Sequence, residues 1–414
     1  MLGCPEEDGP LLCQVMSESR VSKRMARLSP SMTFAMNQLS NDLKAKGIDV
    51  VNMSLGEPDF NTPDHVKAAA CKALEENYTR YTAVPGSPSL KEAIIGKLQR
   101  ENGLTYAPAE ILVSNGAKQS LCNAIMALID DGDEVIIPSP YWVSYPEMVR
   151  LAGGTPVHVD TGIEQGYKMT AGQLEKAITP RTRMLILCSP SNPSGAVYSQ
   201  KELEALAEVI VRHENLLVLS DEIYEHLNYV GAHASIASCE GMWERTILVN
   251  GVSKAYAMTG WRIGFMAAPK WIVSACGMLQ GQYTSGPCSV SQKAAEGAWR
   301  GPQECVEVMR QAFERRRNLL VKLMSEIPGL EVAVPEGAFY LFPKCSSYFG
   351  KTDGTRVIKT STDFAMYLLE VGHVATVGGD AFGAPEYFRL SYATSEAQIE
   401  EAAKRIAKAL ALLK

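Results

Sequence analysis

The feature that most constrains the fold is a regular alternation of short apolar segments with longer amphipathic ones. The apolar segments predict strands at 111–114, 134–138, 183–189, 216–220, 246–250 and 262–268. Amphipathic stretches such as 119–129 and 201–214 separate most of them and predict helices. Almost continuous apolar strands with helices between them are typical of a parallel sheet covered on both faces. The pattern therefore predicts an α/β fold.

From about residue 300 the pattern changes. Long amphipathic helices are predicted at 305–327 and 396–413, with short β-rich segments between them. A chain of 414 residues is also long for a single ordinary core. We therefore expect a large α/β domain followed by a smaller α+β domain, with a boundary near residue 300.

Composition argues against several classes of partner and site. A formal net charge of −6 argues against nucleic acid or an anionic membrane as the main partner. The ten cysteines include no CxxC pair, which favours reduced thiols inside a cell over a disulfide framework or a zinc site. His226 in "EIYEH" lacks a second histidine four residues away, so no metal site is predicted. No apolar run reaches the ~18 residues of a membrane span.

The opening segment, residues 1–19, is acidic and contains no arginine. A secretory signal peptide has a basic start before its apolar segment, and a transit peptide is rich in arginine. The segment resembles neither and is predicted to be a disordered tail.

The segments that follow the predicted strands carry polar, glycine and aromatic residues. They are, in order, "NGAKQ", "SPYW", "PSNPSG", "DEIY" and "GVSK". Ligands of parallel sheets bind beyond the carboxyl ends of the strands, so we expect a ligand site there. No GxGxxG follows the first strand and the chain contains no GxxxxGK[ST], which argues against nicotinamide and P-loop ligands.

Lys254 is the residue with the clearest chemical use. A lysine amine in a pocket can form a Schiff base with a carbonyl, and the aldehyde cofactor pyridoxal 5′-phosphate requires such a lysine. The ring nitrogen of that cofactor requires a carboxylate, for which Asp221 is the candidate. Its phenolic oxygen requires a donor, for which Tyr224 and Asn192 are candidates. Trp142 is the candidate for stacking on the ring.

The cofactor phosphate requires an anion site. Gly116 and Ala117 offer backbone N–H groups at a predicted helix start, where the helix dipole favours an anion. Ser253 and Arg262 add a hydroxyl and a fixed positive charge. Each candidate alone has a simpler interpretation as a surface lysine, a helix cap, a turn or a core aromatic residue. Their occurrence together at strand ends favours the cofactor site.

With these segments assembled, the chain resembles the class I aminotransferases of fold type I. The matching segments are "LGEPDF", "YTAVPGSPSLKEAI", "PYWVSYPEMV", "SPSNPSGAVY", "SDEIYEH", "SKAYAMTGWRIG" and "RLSYATS". They occur in the family's order within roughly 20–412. The resemblance is closest to bacterial-type aspartate aminotransferases, and among them to plant and bacterial enzymes that aminate prephenate.

The resemblance implies a large domain with a mostly parallel seven-stranded sheet covered by helices, and a smaller α+β domain. The expected division of the chain is a tail at 1–19, an N-terminal segment at 20–60, a large cofactor-binding domain at 61–300 and a small domain at 301–414. The N-terminal segment would pack with the small domain and supply a lid, "SMTFAM", over the site.

The resemblance also implies a role for each candidate. Lys254 would carry the cofactor and move a proton, and Asp221 would pair with the ring nitrogen. Arg389 would bind the substrate α-carboxylate with its planar fork, and Gly56 would pass its backbone close to the substrate. Tyr81 would reach the phosphate of the neighbouring subunit, which implies a homodimer with shared sites. The expected cofactor contacts are Tyr81, Gly116, Ala117, Lys118, Trp142, Asn192, Asp221, Tyr224, Ser253, Lys254 and Arg262.

The same resemblance implies a pocket for the substrate side chain. In the bacterial-type branch, a lysine of the phosphate loop and hydroxyls of the N-terminal segment bind a second carboxylate, and here these are Lys118, Ser31 and Thr33. Lys118 could instead be a helix-start lysine that faces solvent. One departure is Gly378, where relatives usually have proline, which predicts a looser loop before Arg389. The expected substrate contacts are Gly56, Trp142, Asn192, Arg389, Lys118, Thr33 and Ser31.

The predicted activity is ping-pong transamination from aspartate or glutamate to 2-oxoglutarate, oxaloacetate or prephenate, the last giving arogenate. One alternative is an aminotransferase for aromatic or neutral amino acids, or a lyase, with the same cofactor. Lys118 and Thr33 disfavour it, because a buried unpaired ammonium facing an apolar side chain is costly. A non-catalytic protein is disfavoured by the intact Lys254 and Arg389. Plant relatives that aminate prephenate work in plastids, so the expected compartment is the cytoplasm or the plastid stroma.

Overall fold

The computed structural model describes residues 21–414 and contains one large sheet and two small ones. The strands are β1 (Val51–Asn52), β2 (Ile111–Asn115), β3 (Glu134–Ser139), β4 (Thr155–Asp160), β5 (Thr182–Cys188), β6 (Leu217–Asp221), β7 (Thr246–Gly251), β8 (Ile263–Ala267), β9 (Tyr340–Leu341), β10 (Val374–Ala375), β11 (Val377–Gly378) and β12 (Phe388–Ser391). The large sheet has the order β2-β8-β7-β6-β5-β3-β4. Only β8 runs antiparallel to its neighbours, so the predicted α/β fold with a mostly parallel seven-stranded sheet is confirmed.

Helices cover both faces of this sheet, and further helices pack against the two small sheets. They are α1 (Met32–Ala45), α2 (Asp64–Glu75), α3 (Pro88–Asn102), α4 (Ala117–Leu128), α5 (Ser144–Ala152), α6 (Ala171–Ala177), α7 (Gln200–Ile210), α8 (Lys270–Tyr283), α9 (Ser289–Arg300), α10 (Glu304–Ser325), α11 (Ser361–Glu370) and α12 (Glu396–Leu410). Short 3₁₀ helices lie at Lys23–Arg27, Pro108–Glu110, Ile163–Gln165, Ile236–Ser238, Trp243–Arg245, Thr259–Trp261, Ser346–Tyr348 and Gly379–Phe382.

Alternate residues of the strands enter different cores, as the two-residue period of a strand requires. Leu112 of β2 belongs to the core that α4 and α5 cover, whereas its neighbours Ile111 and Val113 belong to the core under α3 and α9. Leu217 and Val218 of β6 are separated in the same way. The central strands are therefore buried on both faces, which explains their nearly continuous apolar sequences.

Strand β4 is the element that the apolar pattern missed. Its sequence "TPVHVD" contains a proline and alternating polar residues, and its side chains are exposed or half-buried. Because β4 is the edge strand beside β3, it needs only partial burial, and an edge position tolerates Pro156. The six strands predicted from the sequence all occur, with ends that differ by at most one residue.

The N-terminal and C-terminal parts of the described chain are joined by strand pairing. Val51 and Asn52 of β1 pair in parallel with Val374 and Ala375 of β10. A second small sheet has the order β11-β12-β9 and is antiparallel. These contacts support packing of the N-terminal segment with the C-terminal part, although the domain division at 60 and 300 stays a prediction. The tail predicted at 1–19 lies outside the described residues. Within 21–414, no helix combines the length and the apolar character required to span a membrane.

Candidate active site

The site lies at the strand-end edge of the large sheet, which is the side where the parallel strands have their carboxyl ends. The direction of the strands explains which residues meet there. Strands β2, β3, β5, β6 and β7 all end at this edge, so the segments after them converge. Because β8 is antiparallel, it begins at the same edge, and Arg262 directly before β8 joins the residues that follow the other strands.

These segments enclose a cavity of about 480 Å³. Thirteen of the fifteen residues predicted to form the site line it: Ser31, Thr33, Gly56, Ala117, Lys118, Trp142, Asn192, Asp221, Tyr224, Ser253, Lys254, Arg262 and Arg389. The lining also contains residues that were not predicted to contact the cofactor or the substrate: Phe34, Leu55, Glu57, Leu121, Val143, Ser144, Tyr145, Cys188, Ile223, Thr259 and Tyr340.

Lys254 follows β7 and reaches into this cavity. Its Nζ donates a hydrogen bond of 2.6 Å to the backbone oxygen of Gly56. Burial, with a smaller contribution from the nearby Arg262, lowers the pKa of Lys254 to about 8, although the Glu57 carboxylate opposes the shift. A lysine with this pKa has a substantial neutral fraction near neutral pH, which is the form that acts as a nucleophile or a base.

Asp221 is the last residue of β6 and is only 4% exposed. Tyr145 Oη donates to its Oδ2 over 2.7 Å, and the backbone N–H of Ile223 donates to its Oδ1 over 3.3 Å. Burial raises the pKa of Asp221 to about 6, while these hydrogen bonds oppose the rise. The carboxylate is therefore held by neutral donors and can pair with a cation that enters the cavity.

Arg389 and Asn192 meet on another side of the cavity. Arg389, 2% exposed, donates from Nη1 to Asn192 Oδ1 over 2.9 Å and from Nη2 to the backbone oxygen of Ser54 over 2.6 Å. Its Nε, which is buried, has no partner among the described residues. The Tyr340 ring centre lies 4.6 Å from the guanidinium carbon. Burial of a charged guanidinium is costly, so this fork is suited to a carboxylate ligand.

Tyr224 lies beside the same group. Its Oη is 2.7 Å from Tyr340 Oη, and the Lys254 ammonium lies 5.9 Å from the centre of its ring. Burial holds the pKa of Tyr224 well above its ordinary value, so the hydroxyl keeps its proton and can donate.

A candidate anion site lies at the start of α4. Gly116 adopts a φ of 81° as the residue before the helix, and the Arg262 guanidinium lies so close that a Cβ at Gly116 would overlap it. A Cβ at Gly264 of β8 would overlap the backbone nitrogen of Ala117. These two glycines let the helix N-terminus, the arginine fork and the buried Ser253 approach one another.

Lys118, in the first turn of α4, is an exposed residue whose ammonium nevertheless lies over an aromatic ring. Its Nζ is 4.8 Å from the Trp142 ring centre and 6.0 Å from that of Phe34. Partial burial and the nearby Arg262 lower the pKa of Lys118. Thr33 of α1 lines the cavity with it. The ammonium is therefore directed into the site.

Two sequence predictions have different outcomes. Tyr81 is 100% exposed and lies outside the cavity of the single chain. Its contact with the neighbouring subunit stays a prediction.

The looser loop predicted at Gly378 is wrong. Gly378 is buried, has a φ of −63° that proline also adopts, and lies so near α11 that a Cβ would come within 2.7 Å of the Ser361 backbone oxygen. Close packing, and not conformational freedom, explains the glycine.

Buried charged side chains stabilise the turn 221–226 on the side away from the cavity. Lys97 of α3 pairs with Glu225 and lies 3.6 Å from the Glu101 carboxylate, and His226 Nε2 lies 2.9 Å from Glu101 Oε2. Burial alone would raise the pKa of Glu225, but the Lys97 ammonium holds this pKa well below its usual range. Glu101, Glu225 and His226 are spaced like metal ligands, but Lys97 already supplies the positive charge there.

The residues present fit pyridoxal 5′-phosphate. The cavity combines a lysine with a lowered pKa, a buried carboxylate, a protonated tyrosine hydroxyl and an anion site at a helix N-terminus. Sequence reasoning missed Tyr145 and Tyr340, which hydrogen-bond to Asp221 and Tyr224. The only signal for Tyr145 was its position three residues after Trp142, which places both on one face of a helical turn.

Comparisons with known proteins agree with this geometry. The sequence profile of the family described as aminotransferase class I and II matches residues 48–406. The chain is 51% identical to an aspartate/prephenate aminotransferase from Cereibacter sphaeroides, over 93% of this chain and 97% of the relative. It is 49% identical to a bifunctional aspartate aminotransferase and glutamate/aspartate-prephenate aminotransferase from Petunia hybrida, over 95% of this chain and 83% of the relative. The crystal structure of aspartate aminotransferase from Rhizobium meliloti superposes with a TM-score of 0.93 at 48% identity, covering 96% of this chain and 100% of that structure.

Proposed function

Since the chain belongs to the class I and II aminotransferases and is therefore a pyridoxal-phosphate-dependent aminotransferase, we propose that its substrates are dicarboxylic. The donor is aspartate or glutamate, and the acceptor is 2-oxoglutarate, oxaloacetate or prephenate. The names of the Cereibacter sphaeroides and Petunia hybrida relatives support aspartate, glutamate and prephenate as substrates.

One observation carries the proposal: besides Lys254 and Arg262 of the proposed cofactor site, two more cations line the cavity without a carboxylate partner among the described residues. Arg389 has one buried N–H group without an acceptor among the described residues, and Lys118 contacts aromatic rings instead of a carboxylate. Two carboxylates on one substrate would satisfy both cations. A substrate with an apolar side chain would satisfy only Arg389.

The cofactor supplies an aldehyde carbon that receives the amino group and a ring that withdraws electrons from the substrate Cα. Asp221 would hold a proton on the ring nitrogen with its carboxylate. Arg389 would orient the substrate through its α-carboxylate, and Lys254, as a neutral amine, would take the proton from Cα on Nζ. Tyr224 and Asn192 would donate to the phenolic oxygen.

Kinetics of Lys118→Ala test the proposed pocket. We expect kcat/KM for aspartate to fall about 10- to 100-fold, because a hydrogen bond to a charged group contributes about 1.5–3 kcal/mol. Turnover of alanine should remain within about twofold. Lys270→Ala, which removes an exposed lysine from the start of α8, is the matched control and should change neither substrate. Equal losses for aspartate and alanine in Lys118→Ala would contradict the pocket.

The acceptor is tested with the purified, cofactor-loaded enzyme. Turnover of aspartate or glutamate is measured with prephenate and with 2-oxoglutarate. Comparable rates with both acceptors would support the full proposal. Turnover with 2-oxoglutarate alone would restrict it to an aspartate aminotransferase. Preference for aromatic amino acids, or release of a product without an amino acceptor, would favour the alternatives of an aromatic aminotransferase or a lyase.

We also propose a homodimer in which Tyr81 contacts the cofactor phosphate of the partner subunit. Tyr81, Met278 and Tyr283 present exposed apolar surface, which supports an interface there. Mixing Tyr81→Ala with Lys254→Ala chains should create hybrid dimers with one intact site. Recovered activity would support shared sites, and absence of recovery in confirmed hybrids would contradict them.

The proposed compartment is the cytoplasm or the plastid stroma. The described cysteines are all free, which supports a reducing environment: Cys71, Cys122, Cys188, Cys239, Cys276, Cys288, Cys305 and Cys345. Imaging of a tagged full-length chain distinguishes the two.

A further inference from the structure

A tyrosine on α5 touches the carboxylate proposed to face the cofactor ring nitrogen. Tyr145 Oη donates to Asp221 Oδ2 over 2.7 Å, and Tyr145 is 2% exposed. Its backbone N–H donates to the Trp142 oxygen over 3.0 Å, and the two rings meet edge to face at 5.3 Å. One turn of chain therefore carries both the residue proposed to stack on the ring and a fixed donor to Asp221.

We propose that Tyr145 is a positioning residue that keeps Asp221 ionised and oriented toward the cofactor ring nitrogen. This inference rests on the proposed placement of that nitrogen at Asp221, and it assigns to Tyr145 a role beyond core packing. Tyr145 acts through the carboxylate and does not itself contact the reacting atoms.

The choice of a tyrosine has a physical reason. A buried carboxylate favours its neutral form unless hydrogen bonds stabilise the anion. A lysine or arginine would stabilise it too, but would neutralise the charge that the ring nitrogen requires. A tyrosine hydroxyl donates a hydrogen bond and adds no charge. Burial and the neighbouring Asp221 hold the pKa of Tyr145 well above its ordinary value, so the hydroxyl remains a donor at all working pH values.

Other groups around Asp221 do not replace this contact. The carboxylate of the next residue, Glu222, opposes ionisation of Asp221. The Lys254 ammonium favours ionisation, but less than the hydrogen bonds from Tyr145 and Ile223 do. The thiol of Cys188, which pairs with Asp221 across β5 and β6, has a pKa of about 12 because of burial and stays neutral. The remaining donor is the Ile223 N–H at 3.3 Å, a longer bond. Tyr145 is thus the main side chain that stabilises the anion.

Tyr145→Phe removes the hydroxyl and keeps the ring. We expect the cofactor dissociation constant of the purified apoenzyme to rise, and kcat of the holoenzyme to fall, by about tenfold each, the effect of losing one hydrogen bond to a charged acceptor. Cofactor affinity is lost as pH falls through the pKa of Asp221, so this loss should begin at a higher pH in the variant. The matched control, Tyr367→Phe, deletes a buried 2.8 Å hydrogen bond to the Ala409 backbone oxygen, away from the site, and should change neither quantity.

The route through Asp221 is tested in an Asp221→Ala background. There Tyr145→Phe should have no further effect on cofactor affinity, because residues that act as a unit are not additive. A loss that persists in that background, wild-type affinity and pH profile in Tyr145→Phe, or the same change in Tyr367→Phe would each overturn the proposal. If Asp221→Ala itself leaves cofactor affinity unchanged, the proposed placement of the ring nitrogen fails instead.

Discussion

The buried Asp221 carboxylate should lower the unfolding free energy of the cofactor-free protein, and comparison with Asp221→Asn measures by how much. The pKa of this carboxyl is raised to about 6 from an ordinary value of 3.8, and burial is the largest cause. A difference of about two pKa units corresponds to about 3 kcal/mol of unfolding free energy. Asparagine has nearly the same shape, can still accept from Tyr145, and does not ionise.

The sign of the effect follows from where protons bind. Below about pH 4 the carboxyl is protonated in both states and burial of its charge costs nothing. As pH rises toward 6, the unfolded chain loses this proton first, so the wild-type apoenzyme loses stability relative to Asp221→Asn. The advantage of the variant should therefore grow by about 3 kcal/mol between pH 4 and pH 7, and then stay constant.

The assay is urea unfolding of the two apoenzymes at a series of pH values. Asp130→Asn is the control for the loss of one carboxylate, because this side chain is exposed at the surface and lies outside the cavity. With saturating cofactor the order should reverse, since the variant lacks the charge that pairs with the ring nitrogen. A pH-independent difference between Asp221→Asn and wild type would refute the argument that this buried charge is destabilising.

Three further outcomes are expected. Arg389→Ala should reduce kcat/KM about a hundredfold or more for every amino acid, and Arg389→Lys should recover part of it, because lysine keeps the charge but not the fork. The rate of cofactor capture by the apoenzyme, followed by absorbance, should rise as pH passes through about 8, the pKa of Lys254, and not only near 10.5. Gly264→Ala should raise the cofactor dissociation constant, measured by fluorescence, because its Cβ would displace the N-terminus of α4.

The catalytic part of the site was readable from sequence because its residues follow buried strands. Apolar strands identify themselves by composition, and the sheet then brings their polar ends together. Asp221 and Lys254 were found in this way, and both line the cavity. Arg389 follows no such strand, and only the resemblance to a family gave it a role. Its position depends on the short strand β12, which pairs with the nearby β11 on one side and with β9, much earlier in the sequence, on the other.

The residues that hydrogen-bond to the site residues could not be predicted from the sequence, and the reason differs from one residue to the next. Tyr145 lies in an amphipathic helix, where a buried tyrosine is the ordinary expectation, and only the three-dimensional placement of α5 brings its hydroxyl to Asp221 at the end of β6. Tyr340 belongs to a two-residue strand far from Tyr224 in sequence. The direction of β8 was also hidden, since apolar periodicity does not distinguish a parallel from an antiparallel strand.

The antiparallel direction of β8 also explains how an acidic chain builds an anion site. A chain with a net charge of −6 repels anions at long range, so their binding requires cations concentrated in one place. Reversal of β8 brings Arg262 to the strand-end edge beside Lys118, while Lys254 and Arg389 enter from β7 and β12. Together these four cations exceed the two carboxylates of the cavity lining, Asp221 and Glu57. Of the four, Arg389 is the fully buried one, and burial of its charge is costly in the empty protein. We therefore expect a phosphate and substrate carboxylates to stabilise the site, and binding of the two should reinforce the structure that holds them.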